Sequence, residues 1–239
     1  MKYIKFIFIL FSLVYACKSE PKRIAFKTIS INKAYNAQIE VTFDKALGNN
    51  ALSRTINSKI EASIIASLSE NKETATLADV LDNFNEAFLN FKKEFPDVDE
   101  PTWELYIETE KTYQSNNIIT IAISTYLFKG GAHGNDNIYF LNLNAKTGEI
   151  LNKNDIIKDF NGFKKLAKAY FIKSLQAEKE NVVIEDFFYG KSFQLPQSIG
   201  YSDDGLILLY NNYEIASYEP GYTEFIIPFD DAETFLKVN

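Results

Sequence analysis

The stretch from Trp103 to Leu151, WELYIETEKTYQSNNIITIAISTYLFKGGAHGNDNIYFLNLNAKTGEIL, decides how the rest of the chain is read. It holds three β-like runs joined by a turn and a glycine-rich loop. In the first run Trp103, Leu105, Ile107 and Tyr113 share one parity, while Glu104, Glu108 and Glu110 take the other. That is the alternation of a strand with one face in the core and one in water. Asn116-Asn117 can adopt the positive φ of a tight hairpin turn. Ile118 to Phe128 is β-branched and apolar on both parities, so this run is expected mid-sheet with both faces covered. Lys129-Gly-Gly-Ala-His-Gly-Asn135 breaks the pattern, and Ile138 to Leu143 resumes it. Asn144 to Gly148 then supplies a turn whose glycine suits the left-handed position. Together the runs read as an antiparallel meander.

Working outward, Ile24 to Ile31 and Ala37 to Phe43 read as strands around a turn at Asn32 to Asn36, the second alternating Ile39, Val41 and Phe43 with polar neighbours. After Gly48-Asn49-Asn50, Leu52, Ile56, Ile60, Ile64 and Leu68 recur every fourth residue, the stripe of an amphipathic helix. Thr76 and Asp79 have capping-box spacing for a second helix that carries Leu77, Leu81, Phe84, Phe88 and Phe91 and stops before Pro96. Beyond the meander, Asn154-Asp155 suits a short helical turn. Asn161 is the expected cap of a longer helix with Phe163, Leu166, Ala167, Tyr170 and Phe171 on one side and Lys164, Lys165, Lys168 and Lys173 on the other. A second set of strands follows: Phe193 to Tyr201, Leu206 to Tyr210 and Tyr222 to Pro228, with a turn at Ser202 to Gly205. The fold class expected is therefore α+β, with antiparallel meander sheets and amphipathic helices packed on them. An N-terminal αβ part over residues 24–100 and a C-terminal αβ part over 101–239 are expected to pack as one unit, since no repeat or linker separates them.

A chain of 239 residues that is 46% hydrophobic can build a sizeable core. With 20 Phe and 14 Tyr against one Trp and one Met, aromatic burial should dominate that core. The formal charge of −7, without clustered Lys and Arg, excludes nucleic acid as an expected partner.

At the amino end, Lys2 and Lys5 precede an apolar run from Phe6 to Ala16 that is far shorter than the ~20 residues a bilayer span needs. Residues 1–16 therefore read as a signal peptide, whose removal takes away two lysines and shifts the formal charge from −7 to −9. Val14-Tyr15-Ala16-Cys17 resembles the lipobox of bacterial lipoproteins: a small residue stands beside the scissile bond, and the only cysteine follows to carry the thioether lipid. Residues 17–23 form the lipidated Cys17 and a tether. Cys17-Lys18-Ser19-Glu20 resembles the charged tetrapeptide that follows the cysteine in surface-exported lipoproteins of Bacteroidetes-type bacteria. The expected location is the bacterial cell envelope, anchored by lipid at the outer membrane, on its periplasmic or its outer side.

Candidate chemistry is sparse, and no motif asks for a cofactor or a metal. His133 is the only histidine, so any Ser-His-Asp arrangement would have to use it. Its neighbours Gly130, Gly131 and Gly134 mark a loop with left-handed or closely approached backbone, where a histidine serves as a structural hydrogen-bond donor. Asn135-Asp136-Asn137 lacks the register of an EF-hand loop. Glu104, Glu108 and Glu110 share a strand face; a glycosidase would need two carboxylates placed across a cleft. The most interface-like stretch is Tyr213 to Tyr222, in which Tyr213, Glu214, Tyr218, Glu219 and Tyr222 are the candidate binding residues. Tyrosine gives contact area at low entropic cost, and the alternative is that Tyr213 and Tyr218 pack the sheet.

Three segments together resemble a known family: Tyr126-Leu-Phe-Lys-Gly-Gly-Ala-His-Gly134; Phe140-Leu-Asn-Leu-Asn-Ala-Lys-Thr-Gly148; and Asp204 to Gly221 with Phe225-Ile-Ile-Pro228. The resemblance is to the extracellular domain pair of unknown function seen in the anti-sigma factor RsiV and in the non-catalytic part of the deacetylase PdaC. It covers most of the mature chain and implies an α+β fold. In the RsiV branch it implies recognition of host lysozyme by docking into that enzyme's cleft. This sequence has neither a membrane-spanning helix with a sigma-binding segment nor a polysaccharide-deacetylase domain, so transmembrane signalling and deacetylation do not carry over. The function expected is a lipid-anchored, non-enzymatic envelope protein that binds lysozyme or peptidoglycan. The alternative is a cell-wall hydrolase or esterase using a carboxylate or His133 site.

Overall fold

Strand β4 (Ile118–Phe128) sits between β3 (Glu104–Gln114) and β5 (Asn135–Asn144) in a five-stranded sheet of order β1-β2-β3-β4-β5, with β1 at Phe26–Ser30 and β2 at Gln38–Ala46. The structure is a computed structural model, and it describes residues 23–68, 76–99, 101–176, 184–215 and 221–238. The signal segment and Cys17 lie outside the described residues. Neighbouring strands are antiparallel, as expected, except that β2 and β3 run parallel, Val41 opposite Ile107. Parallel neighbours need a long crossover, and two helices supply it, α1 (Ala51–Leu68) and α2 (Leu77–Glu94). The division expected at residue 100 therefore runs through a hydrogen-bonded sheet.

Both helices start where their caps dictate. The Asn50 side chain accepts from Ser53 N at 2.8 Å. Thr76 and Asp79 form the reciprocal capping box, which satisfies two N–H groups that the first turn would otherwise leave unpaired. Ile56, Ile60 and Ile64 of α1 and Leu81, Phe84 and Phe88 of α2 lie buried on one face of the sheet, against Val41, Leu105, Ile107 and the alternate β4 residues Ile119, Ile121 and Ile123.

Tyr113 departs from the sequence reading. A register shift between Lys111 and Tyr113 inserts an extra residue, and one extra residue inverts every later side chain. Tyr113 thus turns away from Trp103, Leu105 and Ile107 to the opposite face. There it stacks on Tyr201 at 5.6 Å and meets Phe229 at 5.7 Å.

That opposite face carries the second half of the fold. Strands β6 (Ser198–Ser202), β7 (Gly205–Tyr210) and β8 (Thr223–Ile227) form an antiparallel sheet. Helix α4 (Phe160–Gln176) covers it with Phe163, Ala167 and Phe171. Short helices α3 (Lys153–Ile156), α5 (Ile184–Phe187) and α6 (Phe229–Ala232) complete this half. The expected cap Asn161 falls inside α4: Asp159 caps the helix instead, its carboxylate accepting from Gly162 N at 2.9 Å. Phe171 touches Phe187, Phe188, Phe193, Tyr210 and Phe225, all with ring centroids under 6 Å apart. β6 lies close on the five-stranded sheet, since a Cβ on Gly200 would come within 2.3 Å of the Phe140 ring. Buried Asn142 ties the two sheets together, accepting from Thr120 Oγ1 and donating to Ile199 O, both at 2.8 Å.

Candidate functional site

The residues singled out from the sequence occupy three places. Tyr213 is at the tip of the turn that leaves β7. Its backbone is left-handed, φ 65°, and its side chain is 51% exposed. The turn is anchored from below. The Glu214 carboxylate accepts from Gln197 N at 2.7 Å and from Asn211 N at 3.1 Å, so it ties the turn to the segment that enters β6. The Asn211 side chain brackets Ile138 of β5, accepting from its N and donating to its O, both at 2.7 Å. Ile215 is buried behind the turn. Tyr218 and Glu219 lie outside the described residues. Tyr222, 55% exposed, precedes Thr223, which pairs with Tyr210, so it emerges at the same end of the small sheet as the turn.

A tyrosine absent from the sequence reading joins this face. Tyr189 is 60% exposed, has φ 51°, and donates its hydroxyl to Tyr213 O at 3.0 Å. Left-handed backbone is costly for a residue with a Cβ, and here two such tyrosines are linked to each other. The available sequence signal was Tyr189-Gly190, an aromatic residue beside a turn glycine, in a stretch without periodicity.

The glycine-rich loop joins β4 to β5. Gly130 and Gly131 are left-handed, φ 91° and 94°. Gly134 is buried against a side chain rather than backbone: a Cβ there would stand 2.4 Å from the Tyr126 ring. His133 is exposed, and its Nδ1–H donates to Gly134 O at 2.9 Å.

Tyr126 in turn stacks on Tyr106, with centroids 5.5 Å apart and planes 14° from parallel. These rings belong to one row of paired residues across the sheet, Asp136, Tyr126, Tyr106 and Glu40. Glu108 and Glu110 are exposed on the same face, and Glu104 is half-buried. Loss of hydration, followed by the hydrogen bond that its hydroxyl donates to Glu104, raises the Tyr106 phenol above its ordinary value. Among the described residues the acids therefore sit along one sheet face and do not converge across a cleft. Among the described residues no three His, Cys, Asp or Glu side chains gather as a metal site, and no helix is long and apolar enough to cross a membrane.

Comparison with known proteins places both halves. Residues 29–136 match the family described as Deacetylase PdaC, and residues 127–230 match the Protein of unknown function (DUF3298). The two matches overlap across the glycine-rich loop. No curated protein matches the chain. Solved structures that share the fold include two DUF3298 proteins. A DUF3298 family member from Bacteroides fragilis NCTC 9343 is 20% identical with a TM-score of 0.67, over 89% of this chain and 93% of that one. A DUF3298 family protein from Pseudomonas aeruginosa PAO1 is 18% identical with a TM-score of 0.63, over 90% and 95%. The chain thus resembles a domain pair of unknown function, a PdaC-type segment followed by a DUF3298 segment, as its loop and strand motifs suggested.

Proposed function

We propose that this chain is a lipid-anchored, non-enzymatic binding protein of the bacterial cell envelope, and that the face bearing Tyr189, Tyr213 and Tyr222 receives a macromolecular partner. The observation that carries the reading is the Tyr189–Tyr213 pair: two exposed aromatic side chains held on left-handed backbone and joined by a hydrogen bond. Strain of this kind persists where the surroundings over-determine it, and it clusters at functional sites. Rigid, exposed tyrosines are good interface anchors. The open arrangement of Glu104, Glu108, Glu110 and Asp136 favours binding over the hydrolase or esterase alternative, which needs groups convergent in a pocket.

The partner to test first is a c-type lysozyme, with peptidoglycan second. The chain's acidic balance would speed encounter with a basic protein, and salt would act mainly on the association rate. Biosensor titration at low ionic strength should show binding that salt weakens and that Tyr213→Ala and Tyr222→Ala abolish. No binding up to concentrations on the order of tens of micromolar, or binding indifferent to both substitutions, would remove this partner and this face. Anchoring is tested separately. Cys17→Ala should release the protein from membranes and end fatty-acid labelling; continued pelleting with membranes without detergent would overturn it.

A further inference from the structure

We propose that the cavity between the first half of α4 and the segment Ser192–Phe193 binds an organic phosphate carrying two or more negative charges. The site is distinct from the tyrosine face and does not depend on it. The chain is acidic overall, with 32 Asp and Glu against 25 Lys and Arg. Helix α4 reverses that balance, since Phe160–Gln176 contains four lysines and no carboxylate. The structure divides the four. Lys173 lines a different cavity, beside Glu224, with its ammonium 5.7 Å from the centre of the Tyr170 ring. Lys164, Lys165 and Lys168 stay together. With Asn161, Ser192 and Phe193 they line a cavity of about 400 Å³, a size that suits a small ligand.

Three ammonium groups at one cavity repel one another, and Lys164 and Lys168, one helical turn apart, are direct neighbours. Nothing described relieves that repulsion. Lys164 donates to Gln194 Oε1 at 3.1 Å, a neutral partner. Lys165 and Lys168 have no carboxylate partner among the described residues, whose ion pairs lie elsewhere, at Lys33–Asp82 and Lys59–Glu149. Asp159, the nearest acid in sequence, is occupied at the start of α4 by Gly162 N. Asn161 and Ser192 bring an amide N–H and a hydroxyl, which are further donors. Phe193, packed against Phe171 and Phe188, supplies an apolar floor.

A lining this rich in cationic donors selects an anion. One carboxylate would leave two of the three ammonium groups unmatched. A phosphate monoester brings about two negative charges and three acceptor oxygens to one point. The cavity is also much larger than the roughly 30 Å³ that one water takes, so there is room for a polar body behind the phosphate, such as a sugar ring or a glycerol. Soluble sugar phosphates and the headgroups of acidic lipids both offer this group, and the chemistry at the lysines is the same for either.

The test is calorimetric titration of the purified full-length chain with glucose 6-phosphate, and with glucuronate and glucose as related sugars carrying one and no negative charge. It is run at about 0.1 M salt, where exposed charges more than ~10 Å apart are screened. Glucose 6-phosphate should bind, glucuronate at least about tenfold more weakly, and glucose not measurably. Lys165 and Lys168 are exposed, so the double variant Lys165→Gln, Lys168→Gln should fold and should weaken glucose 6-phosphate at least about tenfold. Lys173→Gln should stay within about twofold of the parent. A second arm separates the sources by flotation with phosphatidylcholine vesicles, with and without phosphatidic acid. Extra binding to phosphatidic acid that the double variant removes assigns the site to membrane headgroups; its absence beside glucose 6-phosphate binding assigns the site to a soluble ester. No response to either phosphate, equal affinity for glucuronate, or a double variant no weaker than Lys173→Gln would overturn the proposal. Lysozyme binding by the same variants is read separately, so failure here is distinguishable from failure of the tyrosine face.

Discussion

Two pairs of tyrosines sit on this protein's surface, and they are held in opposite ways. Tyr106 and Tyr126 stack on the face of a five-stranded sheet, fixed by regular strand pairing and backed by Gly134. Tyr189 and Tyr213 stand on turns, in left-handed backbone, secured by one hydrogen bond between them and by Glu214 and Asn211 beneath. The sheet pair needs no special conformation to exist. The turn pair exists only because neighbouring groups hold it, so it carries the functional reading while the sheet pair is accounted for by the fold.

The strongest way to break the comparison is from the sheet side. Gly134→Val would force a side chain into the Tyr126 ring and separate the stacked pair, costing about 3 kcal/mol, at the upper end of ordinary overpacking. Urea unfolding measures it, and an unchanged midpoint would show that the loop shifts freely. Next comes Glu214→Ala, which leaves two backbone N–H groups without their carboxylate and should cost about 2 kcal/mol. The same variant should lose partner binding, which a purely local role would spare.

A smaller effect of opposite sign sharpens the contrast. Asn tolerates left-handed backbone better than Tyr, so Tyr213→Asn should gain about 0.5 kcal/mol of stability while losing binding. A loss of stability would mean that the Tyr213 ring is a structural contact. The smallest effect is alkaline. The Tyr106 phenol is raised in the folded state, so the stability it lends is fully present below the unfolded value near 10.0 and is lost as pH rises through the folded value. Tyr106→Phe should therefore show a shallower fall in melting temperature than the parent above pH 10 or so; identical slopes would count against the shift.

Much of the scaffold was legible in the sequence because it follows local rules. The double-sided apolar run of β4, the Thr76–Asp79 cap and the isoleucine stripe of α1 each announce their element. Three features were not legible. Alternation in β2 shows which face is buried but not which way its neighbour runs, so the parallel pairing with β3 was missed. One inserted residue near Thr112 inverted Tyr113, and a bulge without Gly or Pro leaves no mark on a hydrophobic pattern. Glu214, written among surface tyrosines, gives no sign in the sequence that its carboxylate accepts from backbone amides, one of them 17 residues away. The candidate sites suffer most from such distances. Tyr189 meets Tyr213 across 24 residues. A cleft beside β5 likewise gathers residues from α1, β5 and the approach to β6, which no spacing rule connects.

The parallel pair β2–β3 also sets an order of events as the chain is made. β1 and β2 emerge first and can close a hairpin, but the inner edge of β2 must wait through both helices for β3. Until then the apolar stripes of α1 and α2 have no sheet centre to cover. The β3–β4–β5 hairpins have neighbouring partners and close quickly, which makes them the nucleus onto which the earlier segments dock. A chain released after α2 would be sticky and protease-sensitive, and protection of α1 should appear in pulsed hydrogen exchange only after that of β4. The N-terminal half is thus the first to be synthesised and the last to become stable.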